Sequence, residues 1–243
     1  MKFKGTGLVA FIDLLGFSAA IEQTWDQSPS ALDMVIDLKQ QLQRPFGLRL
    51  DNKDRPDLTQ RPSVSSISDS IVLKYAMHSG DATEVFHGFA QIYGAVLLIA
   101  KYAAERDFAI RGGLELGPVA WDEDHDPIGP AFITAYTLES KLAVNVRTIL
   151  GPNLLRRFAD DDYKDQMPPD RLVTLDHDGM VALRPTVEIV EKMRELRSKA
   201  PDARRAAKYD YVLKPRPVPV GLPQEVWLRL ADNVEGIGPA SEG

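Results

Sequence analysis

Two aspartates in this sequence stand where carboxylates could hold a cation. Asp13 lies inside the apolar run VAFIDLLGFS, at positions 9 to 18, and Gly16 follows it closely. The overlapping segment GLVAFID, at 7 to 13, is a continuous apolar run bounded by glycine, which predicts a strand covered on both faces. A buried, unpaired carboxylate costs several kcal/mol unless another group compensates its charge. The sequence therefore predicts a positively charged partner for Asp13.

The second aspartate, Asp69, stands between two short apolar runs, SVSSI at 63 to 67 and SIVLKYA at 70 to 76. This pattern predicts a hairpin with Asp69 at its tip. If the first strand lies beside that hairpin, the carboxylates of Asp13 and Asp69 converge at one edge of the sheet and repel each other. Mg²⁺ and Mn²⁺ favour carboxylate oxygens, with waters and substrate phosphates completing the shell. We therefore predict two divalent ions, Mn²⁺ or Mg²⁺, at this edge.

The residues after the first strand are suited to binding phosphate. Gly16 has no Cβ, so the backbone can approach a phosphate closely. The N–H groups of Phe17 and Ser18 then lie at the start of a helix, where they could donate to phosphate oxygens. The alternative is that each aspartate, taken alone, is an ordinary turn or helix-cap residue.

Most other segments of the chain alternate between helical and strand-like patterns. Ser30 and Asp33 form a capping signal before a helix that ends by Pro45. The apolar spacing from Thr83 to about Ala104 predicts a long amphipathic helix whose polar face carries Gln91, Lys101 and Glu105. Further strands are predicted at 108 to 121 and in VRTIL, with a helix at 129 to 143 between them and a hairpin at 172 to 183 after them.

This order of elements predicts an α+β fold with a ferredoxin-like βαββαβ core and additional C-terminal strands and helices. We assign residues 1–185 to one catalytic domain and residues 186–243 to a helical or extended C-terminal extension packed on or beside it. The tail from Ala200 is rich in Lys, Arg and Pro.

Composition excludes several classes of function. The formal charge of −6 gives no broad basic surface for DNA or RNA, so no nucleic-acid partner is expected. The absence of cysteine excludes disulfides and thiolate metal sites and is typical of a cytoplasmic protein. Asp13 interrupts the N-terminal apolar segment, which argues against a signal peptide, and the run AVLLIA at 95 to 100 is too short to span a membrane.

Four segments, in order, resemble motifs of the class III nucleotidyl cyclases. FIDLLGFS resembles the F-x-D-I/L-x-G-F signature, and SISDSIVL resembles the hairpin with the second metal-binding aspartate. IRGGLELGPV is similar to the R-x-G-x-x-x-G strand motif, and GPAFITAYTLESKLA to the G-x-x-x-N-x-A-x-R-L-E helix. The four cover roughly residues 7 to 150.

The resemblance implies a reaction. The ribose 3′-hydroxyl of a nucleoside triphosphate attacks the α-phosphorus, releasing pyrophosphate and a 3′,5′-cyclic nucleotide. Two metal ions about 3.5 to 4 Å apart stabilise the entering and leaving oxygens of such a displacement. By the resemblance, Asp13 and Asp69 bridge both ions, and the backbone carbonyl of Leu14 completes one shell.

The sequence departs from the family at the positions of the transition-state asparagine and arginine, which fall at Ile133 and Thr137. These residues are four apart and share one helical face, yet neither can replace the expected side chain. Arg111 and Arg147 are the candidate cations that take over the charge, with Arg111 counted among the catalytic residues.

The residues that read the base also differ. The lysine that reads adenine aligns with Ser65, whereas Asp126 aligns with the base-reading aspartate. A hydroxyl and a carboxylate match the donor and acceptor groups of a pyrimidine edge.

These features look most like the stand-alone pyrimidine cyclases of Pycsar anti-phage defence, which signal to a separate effector through cyclic UMP or cyclic CMP. UTP is the favoured substrate and CTP the second choice. The resemblance also implies a homodimer with shared active sites. Two alternatives stay open: an adenylate or guanylate cyclase, and a degenerate nucleotide-binding module without catalysis.

Overall fold

The structure is a computed structural model that describes residues 3–43, 60–122, 127–160, 171–214, 216–217 and 221–237. The strands are β1 (Phe3–Leu15), β2 (Ser63–Ile67), β3 (Ser70–Ala76), β4 (Ala109–Trp121), β5 (Thr148–Leu150), β6 (Val173–Leu175), β7 (Val181–Leu183) and β8 (Arg216–Pro217). The α-helices are α1 (Phe17–Thr24), α2 (Ala31–Gln43), α3 (Ala82–Ala104), α4 (Pro130–Thr137), α5 (Pro152–Ala159), α6 (Val187–Ser198), α7 (Ala203–Ala207), α8 (Asp210–Leu213) and α9 (Gln224–Ile237). One turn of π-helix, Leu138–Leu142, continues α4 and is called the π segment below.

The strands form one eight-stranded sheet in the order β2-β3-β1-β4-β5-β7-β6-β8. The pairs β2–β3, β3–β1 and β1–β4 are antiparallel, and β4–β5 is parallel. With α1, α2 and α3 as the crossover helices, the first four strands make the predicted βαββαβ core. The α+β prediction is therefore confirmed, and the strands after β4 extend the sheet on one side.

Strand β1 is covered on both faces, as its unbroken apolar sequence predicts. Alternate side chains point to opposite faces of a sheet. Leu8 and Ile12 belong to the large core cluster with α3, whereas Val9 and Phe11 pack against α4 in a smaller cluster. Asp13 continues the second set, so it lies on the α4 face at the end of the strand.

The capping signal before α2 forms as predicted. The Ser30 hydroxyl accepts from the Asp33 backbone N–H at 3.2 Å, and Asp33 Oδ2 accepts from the Ser30 backbone N–H at 2.8 Å. These reciprocal bonds satisfy two N–H groups that the helix itself leaves unpaired.

Helix α3 forms as predicted, but its polar face differs from the prediction. Gln91 is buried against the core, 1% exposed, with its amide 3.2 Å from the His87 ring. The prediction that Gln91 is on the polar face was therefore wrong. Gln91 can be buried in the core because the His87 ring, one helical turn away, gives its amide a polar contact. By length and composition α3 could cross a membrane, but most of it is buried in the core of this fold.

The C-terminal residues pack on the same core as the sheet. Trp227 of α9 is 4% exposed, and its ring centroid lies 5.6 Å from that of Phe158 in α5. Leu230, Ala231 and Val234 join the same cluster. The proposed domain boundary at residue 185 stays a prediction.

Candidate active site

Three predicted site residues, Asp13, Asp69 and Arg111, meet at the ends of neighbouring strands in the sheet. In the register of the strands Asp13 lies opposite Ser70 on β3 and opposite Arg111 on β4. Asp69 directly precedes Ser70 in the tight turn between β2 and β3. The expected convergence of Asp13 and Asp69 therefore follows from the antiparallel pairing of three strands.

Arg111 is the cation that faces Asp13. Its Nε donates to Asp13 Oδ2 at 3.0 Å. The side chain of Asp13 is 17% exposed and that of Arg111 is 26% exposed, so this ion pair is largely shielded from water. Arg111 thus supplies the compensating charge that the burial of Asp13 requires.

Burial is the main influence on the ionisation of Asp13. It raises the pKa of the Asp13 carboxyl above its usual value, against the opposing effects of the Arg111 hydrogen bond and charge. The negative charge of Asp69 raises the same pKa further. The two carboxylates are therefore close enough to repel each other, and a cation would relieve that repulsion.

A third carboxylate, Glu139, also contacts Arg111. Glu139 Oε1 lies 2.7 Å from Arg111 Nε, and the Glu139 side chain is only 4% exposed. Burial raises the pKa of Glu139 to about 7, with Arg111 opposing that rise and Asp13 and Asp69 adding to it. The site therefore contains one arginine among three acidic side chains.

Glu139 was not among the predicted site residues. The signal was present in the sequence, because Glu139 occupies the final acidic position of the helix motif in GPAFITAYTLES. The pattern alone does not show where this side chain points, since the helix changes to π-helical geometry at Leu138. Such single π turns commonly occur at functional sites.

Gly113 allows the helix with Glu139 to lie close to the sheet. A Cβ at Gly113 would lie 2.2 Å from the Ala135 carbonyl oxygen and 2.5 Å from Leu138 Cβ. Any side chain there would push α4 and the π segment away from β4. Glycine is therefore required at position 113, because only without a Cβ can the helix come close enough to bring Glu139 to Arg111.

The predicted phosphate-binding residues follow Asp13 as expected. Gly16 adopts a left-handed conformation, with φ of 91°, and caps the start of α1. Phe17 packs into the core with its ring centroid 6.2 Å from that of Phe108, while Ser18 is exposed. Among the described residues no side chain caps the N-terminus of α1, so the first-turn N–H groups, including those of Phe17 and Ser18, are available to an anion.

A cleft of about 540 Å³ opens beside Gly16. Its lining includes the basic side chains Arg106, Lys199, Arg205 and Lys208, together with Asp107. The basic C-terminal tail thus forms one wall of a cleft next to the predicted phosphate loop.

Two further predicted site residues are Leu14 on β1 and Ser65 on β2. Leu14 buries its side chain in the core, so any contact with a ligand would come from its backbone. Ser65 lies on β2, and its Oγ is buried without a hydrogen-bond partner in the described part of the chain. The predicted base-reading residue Asp126 lies outside the described residues.

Arg147 is not brought to these carboxylates. Its guanidinium bonds to Asp176 Oδ2 at 2.9 Å and to Asp178 Oδ2 at 2.7 Å, and donates to the Leu142 carbonyl at 2.9 Å. The ring of Tyr211 covers it at 4.4 Å. Its charge is committed to this buried cluster, so this arrangement does not fit the predicted role of Arg147 in binding substrate.

Helix α4 presents Ile133 and Thr137 as the sequence spacing predicts, and neither side chain carries a charge. Ile133 is 62% exposed, and the neighbouring Tyr136 and Ile128 are 50% and 74% exposed. Ile133 and Tyr136 form an exposed apolar surface on α4, whereas Ile128 pairs with Ala120, at the opposite end of β4 from Arg111.

The residues present fit a hard divalent cation without forming a complete protein cage. Among the described residues, no group of three or more His, Asp or Glu side chains is arranged to hold a metal ion. Asp13 and Asp69 supply carboxylate oxygens, and Arg111 already places a positive charge against Asp13. Two carboxylates with an incomplete shell are the donor set that Mg²⁺ uses when water and phosphate complete its coordination.

Comparison with known proteins identifies the fold. No protein-family profile and no curated protein matches the sequence. A class III adenylyl cyclase-like ATP-binding protein from Pseudomonas aeruginosa matches with a TM-score of 0.51 and 14% identity, over 79% of this chain and 41% of that chain. The fold is therefore that of a class III nucleotidyl cyclase domain.

Other solved structures of similar proteins give lower scores. The guanylyl cyclase Cya2 matches with a TM-score of 0.46 and 11% identity, over 76% of this chain and 94% of that chain. A bacterial light-regulated adenylyl cyclase matches with a TM-score of 0.47 and 13% identity, over 82% of this chain and 58% of that chain.

Proposed function

We propose that this chain is a nucleotidyl cyclase that converts a pyrimidine nucleoside triphosphate, preferably UTP and secondly CTP, into the 3′,5′-cyclic monophosphate and pyrophosphate. The observation that carries the proposal is the proximity of Asp13, at the end of β1, to Asp69, in the turn before its neighbour β3, in a class III cyclase fold. Two partly buried carboxylates, one of which raises the pKa of the other, favour a cation site at this position.

The residues have distinct proposed roles. Asp13 and Asp69 hold two divalent ions, Mn²⁺ or Mg²⁺, with the Leu14 carbonyl as a further ligand. When bound, such ions make the attacking hydroxyl more acidic and offset the charge that develops on the leaving pyrophosphate. The backbone N–H groups after Gly16 orient the triphosphate, and Arg111 supplies the positive charge that Ile133 and Thr137 lack.

The proposed base-reading residues are Ser65 and Asp126. The unpartnered Ser65 Oγ supports a role as a hydrogen-bond partner for the base, because a buried hydroxyl without a partner is costly. A serine paired with Asp126 suits a pyrimidine edge, and the missing adenine-reading lysine disfavours ATP. The anti-phage role, with a separate effector in the cytoplasm, rests on the Pycsar resemblance.

We propose a homodimer whose two sites each combine residues from both chains. The exposed apolar side chains Ile133 and Tyr136, on the helix that leads to Glu139, support this proposal because a contact would remove them from water. A closed two-fold contact would create two equivalent sites. In sedimentation velocity Ile133→Glu should then shift the protein toward monomer and reduce activity in parallel.

The second candidate function is nucleotide binding without catalysis. The observation that favours it is Ile133, an exposed apolar side chain where the resemblance expects the transition-state asparagine. Incubation with UTP, CTP, ATP and GTP in the presence of Mn²⁺, followed by product identification, separates the candidates. The binding-only candidate predicts saturable nucleotide binding with no cyclic product.

A further inference from the structure

Arg111 contacts two acidic side chains, Asp13 and Glu139, but donates its Nε hydrogen bond to only one of them. Arg111 Nε carries one hydrogen, which it donates to Asp13 Oδ2 at 3.0 Å. Glu139 Oε1 lies nearer, at 2.7 Å from the same nitrogen, but makes no hydrogen bond there or elsewhere in the described structure. Glu139 is thus a buried acceptor that contacts an arginine without receiving a hydrogen bond.

The arrangement is costly for Glu139. Its side chain is 4% exposed, so water does not replace the missing hydrogen bond. A buried acceptor without a donor is unfavourable, because it has lost its hydrogen bonds to water without replacement. Arg111 is placed to remove that cost if it turns its N–H from Asp13 to Glu139.

We propose that Arg111 is an exchangeable counter-ion. In the metal-free protein it neutralises Asp13, and when Asp13 binds a divalent cation it transfers its hydrogen bond to Glu139. Glu139 is then a positioning residue that receives the arginine and keeps it beside the site. The inference rests on the proposed metal-binding role of Asp13.

The rigid alternative is a permanent ion pair in which Arg111 holds the same partners with and without metal. In that case Glu139 influences the metal only through its charge. The two descriptions differ in whether the effect of Glu139 depends on Arg111, and a double-mutant cycle measures this dependence.

The experiment titrates Mn²⁺ into metal-free protein and follows free Mn²⁺ by electron paramagnetic resonance. The variants are Arg111→Gln, Glu139→Gln, the double variant and Asp69→Asn. Exchange predicts that Glu139→Gln weakens Mn²⁺ binding by about fivefold or more when Arg111 is present, as for a coupling of about 1 kcal/mol. The same change should have less than about a twofold effect in the Arg111→Gln protein.

A second measurement needs no change at Glu139 and so does not depend on that variant folding. The side-chain Nε–H resonance of Arg111 in the wild-type protein, assigned by its loss in Arg111→Lys, is followed while Mg²⁺ is added. Exchange predicts that this resonance shifts with the same midpoint as Mg²⁺ binding. Arg147, whose Nη1 and Nη2 contact Asp176 and Asp178 in a separate buried cluster, is the internal control, and its Nε–H resonance should stay in place.

The outcomes separate this inference from the proposed function. If Mn²⁺ does not bind the wild type, or binds Asp69→Asn equally well, the proposed metal site is wrong and the exchange falls with it. If Mn²⁺ binds the wild type and Asp69→Asn weakens it, but the cycle is additive and the Arg111 resonance does not move, only the exchange is overturned.

Discussion

Asp13 and Arg111 lie directly opposite each other on the neighbouring strands β1 and β4, joined by a 3.0 Å hydrogen bond from Nε to Oδ2. Both strands are thirteen residues long and belong to the centre of the sheet. The charged centre of the site is therefore fixed by the register of the core and not by a loop. Changes that shift this register, or the helix that covers it, should affect the proposed activity.

The first prediction concerns Asp69. Asp69 lies in a turn, and Asp69→Asn replaces one of the two proposed carboxylate ligands by a neutral amide. Because metal-based charge stabilisation is worth several kcal/mol, we expect cyclase activity to fall by about 100-fold or more. Thermal unfolding of metal-free protein should change little. The control is Asp232→Asn, an exposed carboxylate on α9 that should keep full activity.

The second prediction tests the close approach of α4 to β4. In Gly113→Ala the new Cβ would lie 2.2 Å from a backbone oxygen, so the helix must move and Glu139 with it. We expect a loss of about 1 to 3 kcal/mol in the free energy of unfolding, as for overpacked cores, and a loss of activity.

Gly117→Ala is the matched control on the same strand. The nearest atoms to a Cβ there lie at 3.6 and 3.8 Å, an ordinary contact distance. Urea unfolding of both variants measures the difference. Equal stability of the two proteins would contradict the packing described for Gly113.

The third prediction concerns pH and stability. Glu115 is fully buried at the N-terminus of α5, where it accepts from the Leu154 backbone N–H at 3.1 Å. Burial raises its pKa to about 7 from a usual value of 4.5. A carboxyl whose pKa is raised by folding binds its proton more tightly in the native state. The contribution of the protonated Glu115 carboxyl to the free energy of unfolding is therefore complete below pH 4.5 and is lost as the pH rises through 7.

We expect the free energy of unfolding to fall by about 3 kcal/mol per such group between about pH 5 and pH 8. The raised pKa of Glu139 acts in the same direction. Glu115→Gln keeps an acceptor but does not ionise, so its stability should depend less steeply on pH. Glu188→Gln, at an exposed position on α6, should behave as the wild type. Identical pH profiles for Glu115→Gln and wild type would rule out this assignment.

The fourth prediction tests the structural role of Arg147. Arg147→Met leaves the Asp176 carboxylate, whose side chain is 3% exposed, without its buried cation. Loss of one partner of a buried pair typically costs about 3 to 5 kcal/mol. We expect this loss in urea unfolding, with an unchanged KM for the triphosphate in the folded protein.

The exposed pair of Arg197 and Asp210 provides the comparison, with both side chains more than 40% exposed. Arg197→Met should cost less than about 1 kcal/mol. A raised KM in Arg147→Met without loss of stability would instead favour the substrate-binding role predicted from the sequence.

Features that depend on a few neighbouring residues were predictable from the sequence. Capping chemistry at Ser30 and Asp33 requires a spacing of only three residues, and the hairpin at Asp69 is set by two flanking apolar runs. The order of these local elements then indicated the βαββαβ core. The resemblance to cyclase motifs added the expectation that Asp13 and Asp69 meet.

Features that depend on long-range pairing were not predictable in the same way. Arg111 and Arg147 both stand at the start of a strand-like segment, and only the three-dimensional fold shows that one meets Asp13 while the other meets Asp176. The approach of Glu139 depends on a π turn and on space at Gly113, neither of which leaves a periodic signal. Gln91 is buried because His87 contacts it inside the core.

The most direct test is the identity of the product that the purified protein forms with Mn²⁺ and each of UTP, CTP, ATP and GTP. We predict cyclic UMP, or secondly cyclic CMP, with one pyrophosphate released per turnover and a rate about 100-fold lower or less from Asp69→Asn. Formation of only cyclic AMP or cyclic GMP would contradict the pyrimidine assignment. The absence of a cyclic nucleotide from all four triphosphates would contradict the claim that this site is a cyclase.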